Sequence, residues 1–81
     1  MKVKVLLFAS LREVVGSSQS AVELEPGARV EDAWARMASL YPRLAPHTGT
    51  IAFALNSAYT SAREALHDGD EVAFLPPVSG G

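Results

Sequence analysis

The sequence contains no cysteine, and this absence excludes several kinds of chemistry at once. Without thiols, the chain cannot form a disulfide, bind zinc through thiolates or use a cysteine nucleophile. It also has no apolar stretch long enough to span a membrane, and its first residues alternate as in a β-strand rather than forming a signal peptide. We therefore expect packing alone to hold the fold together, in a cytoplasmic protein with no membrane partner.

The chain also lacks a large excess of either charge, since its formal net charge is only −2. A slightly acidic chain is poorly suited to nucleic acid, so we expect no nucleic-acid partner. His47 and His67 stand in separate loops without a second ligand at a suitable spacing, and no Ser–His–Asp arrangement or phosphate-binding glycine loop is visible. We therefore expect no metal site, no bound cofactor and no independent catalytic centre in this chain.

The 81 residues, 48% of them apolar, are enough for one domain with one core. The strongest periodic segment covers 30–41, where apolar residues recur at helical spacing until Pro42 ends the pattern. This spacing predicts an amphipathic helix. Its apolar face comprises Val30, Ala33, Trp34, Met37, Ala38 and Tyr41.

Several shorter segments have the composition of β-strands. Residues 2–9 alternate so that Val3, Val5 and Leu7 share one face, and strands are also predicted at 21–24, 50–56, 59–60 and 71–75. A capping box from Ser10 to Glu13 predicts a short helix over 10–15. The order of elements indicates an α+β fold, in which one main helix packs on a mixed sheet of four to five strands.

The connections between these elements give further expectations. Residues 42–49 are predicted to form a loop, because Pro46 and Gly49 favour irregular structure. Leu66 is predicted to enter the core from a helical turn. A tight turn around Gly69 is then predicted to lead into the last strand.

The end of the chain differs from the rest, because an apolar FLPPV run leads to Ser-Gly-Gly. Gly80 and Gly81 have no Cβ, so the backbone can pass where a side chain would not fit. Pro76 and Pro77 cannot continue a sheet ladder and stiffen the exit from the last strand. We predict a folded domain over 1–77 and a flexible tail over 78–81, with an inert, frayed end as the alternative.

Two stretches of the sequence resemble a known family. Residues 4–13 (KVLLFASLRE) are similar to the opening of the small subunit of molybdopterin synthase, and residues 68–81 (DGDEVAFLPPVSGG) are similar to its ending. The resemblance covers the whole chain and implies the ubiquitin-like β-grasp fold. It also implies that the chain is the sulfur-carrying part of an enzyme, with the sulfur held as a covalent thiocarboxylate on Gly81.

The resemblance further implies the reactants and the partners. An adenylating, E1-like enzyme would consume ATP to activate Gly81, and a sulfurtransferase or cysteine desulfurase would supply the sulfur. The thiocarboxylate would then attack cyclic pyranopterin monophosphate in the large subunit of the synthase. Two such transfers would build the molybdopterin dithiolene, in a heterotetramer with two copies of each subunit.

A docking face is implied as well, because the first and last strands of a β-grasp fold are parallel neighbours. Leu6, Phe8, Ala73 and Leu75 would then share the face away from the helix, and exposed apolar clusters are typical of partner surfaces. Tyr59 and Arg29 depart from the family pattern, which has an aliphatic contact residue and a Ser or Thr helix cap there. Gly80 would thread into the partner. The expected interface residues are Phe8, Tyr59, Leu75, Pro76, Pro77, Val78 and Ser79.

Other functions fit the same sequence. A sulfur carrier for thiamine thiazole or for amino-acid biosynthesis would share the fold and the Gly-Gly ending, but typically lacks this Pro-Pro-Val-Ser lead. A ubiquitin-like modifier would need the same activation before forming isopeptide bonds to lysines. A non-covalent interaction module with an inert tail is the plainest alternative.

Overall fold

A computed structural model describes residues 1–77, and the predicted tail at 78–81 lies outside the described residues. The predicted α+β class is confirmed, and no helix in the described part is long and apolar enough to cross a membrane. The strands are β1 (Lys2–Leu7), β2 (Gln19–Glu23), β3 (Ala52–Leu55), β4 (Ala58–Thr60) and β5 (Glu71–Leu75); the helices are α1 (Ala9–Val15), α2 (Val30–Leu40) and a 3₁₀ helix (Pro42–His47).

The five strands form one mixed sheet in the order β2-β1-β5-β3-β4. The first and last strands are parallel neighbours at its centre, as expected, with Val5 opposite Val72 and Leu7 opposite Phe74. The other pairings are antiparallel. Because β1 and β5 run the same way, the chain leaves β5 beside the end of β1.

One face of the sheet packs against α2 and forms the core. Phe74 lies at its centre and makes edge-to-face contacts with Trp34 and Phe53, at centroid distances of 5.0 and 5.7 Å. The Trp34 Nε1–H donates to Thr48 Oγ1 at 2.8 Å, so its polar group is satisfied. The buried core residues are Val3, Val5, Leu7, Leu11, Val22, Val30, Ala33, Trp34, Met37, Leu44, Leu66, Val72 and Phe74.

The start of α1 differs from the expectation, because the Ser10–Glu13 capping box is wrong. The residue before the helix is Phe8, its side chain makes no capping bond, and Ser10 already lies in the first turn. The chain reverses directly after β1, and Ala9 takes a left-handed conformation (φ 49°) to make this corner. Such a conformation costs a non-glycine residue about 1–2 kcal/mol.

The start of α2 compensates for its poor cap. Arg29 precedes the helix and carries no accepting side-chain atom, but its N–H donates to Asp32 Oδ2 at 2.7 Å. The Asp32 N–H in turn donates to the Arg29 carbonyl oxygen at 2.9 Å. The negative charge of Asp32 also lies in the first turn, where the helix dipole favours it.

Two connections were predicted wrongly. Residues 42–47 form a 3₁₀ helix rather than a loop, because a proline fits the first helical position and Leu44 reaches the core. Leu66 is buried as expected, but it follows a bridge between Arg29 and Ala65 rather than a helical turn. Its N–H donates to the Ala28 carbonyl oxygen at 2.9 Å.

A hydrogen-bonded cluster joins the β3–β4 turn to the start of β5. Asp70 accepts from Asn56 Nδ2 at 3.1 Å and from the His67 N–H at 2.7 Å, and Asn56 Oδ1 accepts from the Glu71 N–H at 3.0 Å. Asn56 and Ser57 are both left-handed, as a two-residue hairpin turn requires. These hydrogen bonds lower the pKa of Asp70 below its usual range. The bond from Asn56 has the larger effect, and the bond from the His67 N–H has the next largest.

The two faces of β5 predict different costs for neighbouring substitutions. Phe74→Ala removes the central core ring and should lower the free energy of unfolding by about 3–5 kcal/mol. Leu75→Ala, on the half-exposed side of the same strand, should cost only about 1 kcal/mol. Urea unfolding of both variants measures the difference. Equal losses would contradict the assignment of the two faces.

The lowered pKa of Asp70 predicts a pH-dependent stability. The Asp70→Asn variant should be less stable by about 1–2 kcal/mol near neutral pH, because the charge-assisted hydrogen bonds are lost. Since the folded-state pKa is below the unfolded one, this difference is fully present above the usual Asp pKa of about 4 and disappears as the pH falls through the folded value. Urea unfolding across the acid range measures it, and a difference that persists at the lowest pH would contradict the prediction.

Candidate functional site

The face of the sheet opposite α2 carries a shallow groove of about 270 Å³. We call this surface the open face. It arises from strand alternation: Val72 and Phe74 enter the core, so Ala73 and Leu75 point away from it. The residues that line the groove are Leu6, Phe8, Ala54, Ser57, Tyr59, Glu71, Ala73 and Leu75.

Large apolar side chains stand at the edges of the open face, around a floor of small ones. Phe8 is 44% exposed and Tyr59 is 82% exposed, whereas Ala54 and Ala73 between them leave the surface low. Exposed apolar surface is unfavourable by about 25 cal/mol per Å², so covering it with a partner would release that free energy. The arrangement is suited to binding by burial, because most of the side chains that line the groove are apolar.

A second groove, with a larger volume of about 530 Å³, adjoins the first at the point where the chain leaves β5. Pro76 and Pro77 form part of its wall, together with Ala9 and Ala52. The groove also includes Phe8, Tyr59 and Leu75. The structure therefore brings together all the expected interface residues that it describes; Val78, Ser79, Gly80 and Gly81 lie outside the described residues.

Charged residues bound the open face at its other end. Lys4 lies opposite Glu71 in the parallel register, and its Nζ is 3.6 Å from the Glu71 carboxylate. The two side chains are 49% and 36% exposed, so this ion pair contributes at most about 1 kcal/mol. Lys2, Ala21 and Asp68 line a further shallow depression beside it. The open face is thus apolar near the chain exit and charged at the opposite end.

Two small residues on this surface were not predicted from the sequence. Ala52 and Ala54 occupy the positions of β3 that alternate with Phe53, and this alternation was the signal that could have placed them on the open face. The left-handed corner at Ala9 had no comparable signal. Neither histidine is among the residues that line these grooves. The His67 Nδ1 lies 3.8 Å from the Asp70 carboxylate, and residues 1–77 contain no cluster of three potential metal ligands.

Comparison with known proteins connects this geometry to a family. Residues 5–81 match the sequence model of the ThiS family. The molybdopterin synthase sulfur carrier subunit of Chlamydomonas reinhardtii is 47% identical over 83 residues, which cover 100% of both chains.

Solved structures show the same fold. Small archaeal modifier protein 1 of Haloferax volcanii has a TM-score of 0.88 and 30% identity, over 95% of this chain and 98% of that chain. A chain in the complex of subunits 1 and 2 of molybdopterin-converting factor from Helicobacter pylori has a TM-score of 0.67 and 26% identity, over 100% of both chains.

These likenesses confirm the ubiquitin-like β-grasp fold that the resemblance implied. They also extend beyond the fold, because nearly half of the residues are identical to one relative over the full length of both chains. The chain belongs to the ThiS family and, within it, to the molybdopterin synthase sulfur carrier subunits.

Proposed function

We propose that this chain carries sulfur for molybdopterin synthesis, as a thiocarboxylate on Gly81, and docks through the open face onto the larger subunit of a molybdopterin synthase. One observation carries the proposal: the exposed apolar residues Phe8, Tyr59 and Leu75 adjoin Pro76 and Pro77, where the tail begins. The relatives that carry the same sulfur-carrier name support the chemistry, and the complex of subunits 1 and 2 from Helicobacter pylori supports a second subunit.

The chemistry takes place at the carboxyl carbon of Gly81. A carboxylate is a poor electrophile, so an E1-like enzyme first transfers AMP to it from ATP and releases pyrophosphate. The outer sulfur of a persulfide donor then attacks the acyl carbon and expels AMP, and a thiol reduces the resulting acyl disulfide to the thiocarboxylate. ATP is consumed by the activating enzyme, in the cytoplasm, and this chain binds neither ATP nor a metal.

The sulfur is then delivered inside the partner. The thiocarboxylate sulfur attacks a carbon of cyclic pyranopterin monophosphate and displaces the oxygen bonded to that carbon. Hydrolysis of the acyl–sulfur bond by water then leaves the sulfur on the substrate and restores the Gly81 carboxylate. The partner supplies the pocket, because the described part of this chain offers only a binding surface. Extended residues 78–81 span about 13 Å, which is enough to pass below a protein surface.

The open face and the tail have complementary tasks in this proposal. Burial of the open face fixes the folded domain against the partner, so the tail enters from a defined point next to Pro76. The proline pair limits the conformations of the chain at this point and lowers the entropy lost when the tail is ordered. The glycines then allow the backbone through a passage too narrow for side chains.

Truncation of an open-face aromatic should weaken docking without unfolding the domain. Phe8→Ala should reduce the affinity for the larger subunit by about 1–3 kcal/mol, or roughly 5- to 150-fold, because an aromatic contact with the partner is lost. Leu40→Ala is the matched control, since Leu40 is similarly exposed (51%, against 44% for Phe8) but lies at the end of α2. Isothermal titration calorimetry measures both affinities. Equal losses for the two variants would contradict the docking face.

Sulfur loading tests the proposed chemistry directly. Incubation with the activating enzyme, ATP and a sulfur donor should replace one oxygen of the C-terminal carboxyl group with sulfur, as read by intact-protein and C-terminal peptide mass spectrometry. A tryptophan appended after Gly81 should abolish both loading and molybdopterin formation, while thermal unfolding stays that of the unmodified chain. Full molybdopterin formation by the extended chain, with the appended residue still attached, would overturn the proposal.

A second candidate function, protein modification, is favoured by the likeness to small archaeal modifier protein 1. It would use the same adenylated Gly81, with a lysine amine in place of the sulfur donor. Peptides in which a cellular lysine is amide-linked to Gly81 would establish it. The thiazole or amino-acid carrier and the inert-tail module have no comparable support, and the inert-tail module would keep its activity after deletion of Gly80 and Gly81.

A further inference from the structure

We propose that the fold keeps the amino groups of this chain away from its activated carboxyl end, so that the chain does not acylate itself. The inference rests on the proposed activation of Gly81. A neutral amine that attacked the activated acyl carbon would form an amide, expel AMP and release a proton. The amide is stable, so each such event would remove one carrier from use.

The cationic side chains show the first part of this arrangement. Five of the seven are arginines, and the only two lysines are Lys2 and Lys4. An arginine guanidinium stays protonated in proteins and does not act as a nucleophile. The surface therefore carries positive charge mostly in a form that cannot react with an activated acyl group. The arginines are Arg12, Arg29, Arg36, Arg43 and Arg63.

The placement of the amines is the second part. Lys2 and Lys4 lie in the first half of β1, and Lys4 is opposite Glu71, the first residue of β5. The chain leaves the sheet at Leu75, at the other end of this parallel pair. Five strand residues span about 13 Å, so a tail that attacked Lys4 would have to reverse after the two prolines and stretch back along the whole of β5.

Besides their distance from the tail, the amines of Lys4 and Met1 are held by local contacts. The Lys4 Nζ pairs with the Glu71 carboxylate at 3.6 Å, and the Met1 ammonium donates to the Leu24 carbonyl oxygen at 2.7 Å. An ammonium has to lose its proton and its partner before it can attack. Exposed ion pairs contribute at most about 1 kcal/mol, so distance from the tail is the larger effect.

The third part is the surface beside Pro76 and Pro77, where the tail begins. Within residues 1–77, the groove beside Pro76 and Pro77 is lined by hydrocarbon groups and the Tyr59 phenol, with no lysine among its residues. An amine placed there would be joined to Gly81 through a short tether of only a few residues. Such tethers give effective concentrations on the order of 1 mM, roughly 100 times the concentration of a 10 µM protein solution.

The test uses the full chain with its C-terminus converted to a thioester of a small thiol, which reacts with amines as the acyl adenylate does. No activating enzyme is needed. The wild-type thioester should only hydrolyse. In Ala52→Lys, an exposed lysine faces the groove opposite Leu75, and an internal amide should form about 100-fold faster than any amide between two wild-type molecules at about 10 µM. The product weighs one water less than the hydrolysed chain, and fragmentation locates the amide.

Two controls separate placement from charge. Ala52→Arg adds the same charge without a nucleophile and should not cyclise. Ala21→Lys adds an exposed lysine at the far end of the open face, beside Lys2 and Lys4, and should behave as the wild type does. Thermal unfolding checks each fold, and Tyr59→Lys places an amine in the same groove if Ala52→Lys is unfolded.

Either of two outcomes would overturn the inference. One is rapid amide formation in the wild type at Lys2, Lys4 or Met1. The other is an equal rate for the lysines at positions 52 and 21. Failure of the proposed function would appear separately, as no sulfur loading by the activating enzyme, because the thioester reaction depends only on where the amines lie.

Discussion

The parallel pairing of β1 and β5 is the constraint on which the rest of the structure depends. It joins the two ends of the chain at the centre of the sheet, with Leu7 opposite Phe74. Side-chain alternation along the two strands then gives the core one set of residues and the open face the other. The same pairing fixes the point of exit, because a chain that leaves β5 must emerge beside Phe8, where β1 has just ended.

The two faces of this sheet have different energetic roles. The buried face holds the domain together through the packing of Phe74 against Trp34 and Phe53. The open face leaves Phe8 44% and Tyr59 82% exposed, and the exposed part of these side chains adds nothing to the stability of the isolated chain. In the proposed function, that unused burial becomes binding free energy. A carrier that worked as proposed would need no catalytic side chain, since its reactive atom would belong to the main chain.

Much of the fold could be predicted from the sequence, because the patterns concerned are local. The helical spacing from Val30 onward and the alternation along β1 and β5 each show which side of an element is apolar. Errors arose where a distant contact overrides a local rule. Ser10 is not the cap, since the corner after β1 decides where α1 begins, and residues 42–47 are helical because Leu44 finds room in the core.

The sequence by itself determined the composition of the tail, the period of each element and the absence of thiol chemistry, since these are properties of residues and their neighbours. Only the tertiary structure decided that Tyr59 lies beside Phe8 and Pro76, and that both lysines lie at the other end of the sheet. The reason is that strand order and register join residues that are far apart along the chain. A period of two shows which residues share a face, but not which strands stand next to each other.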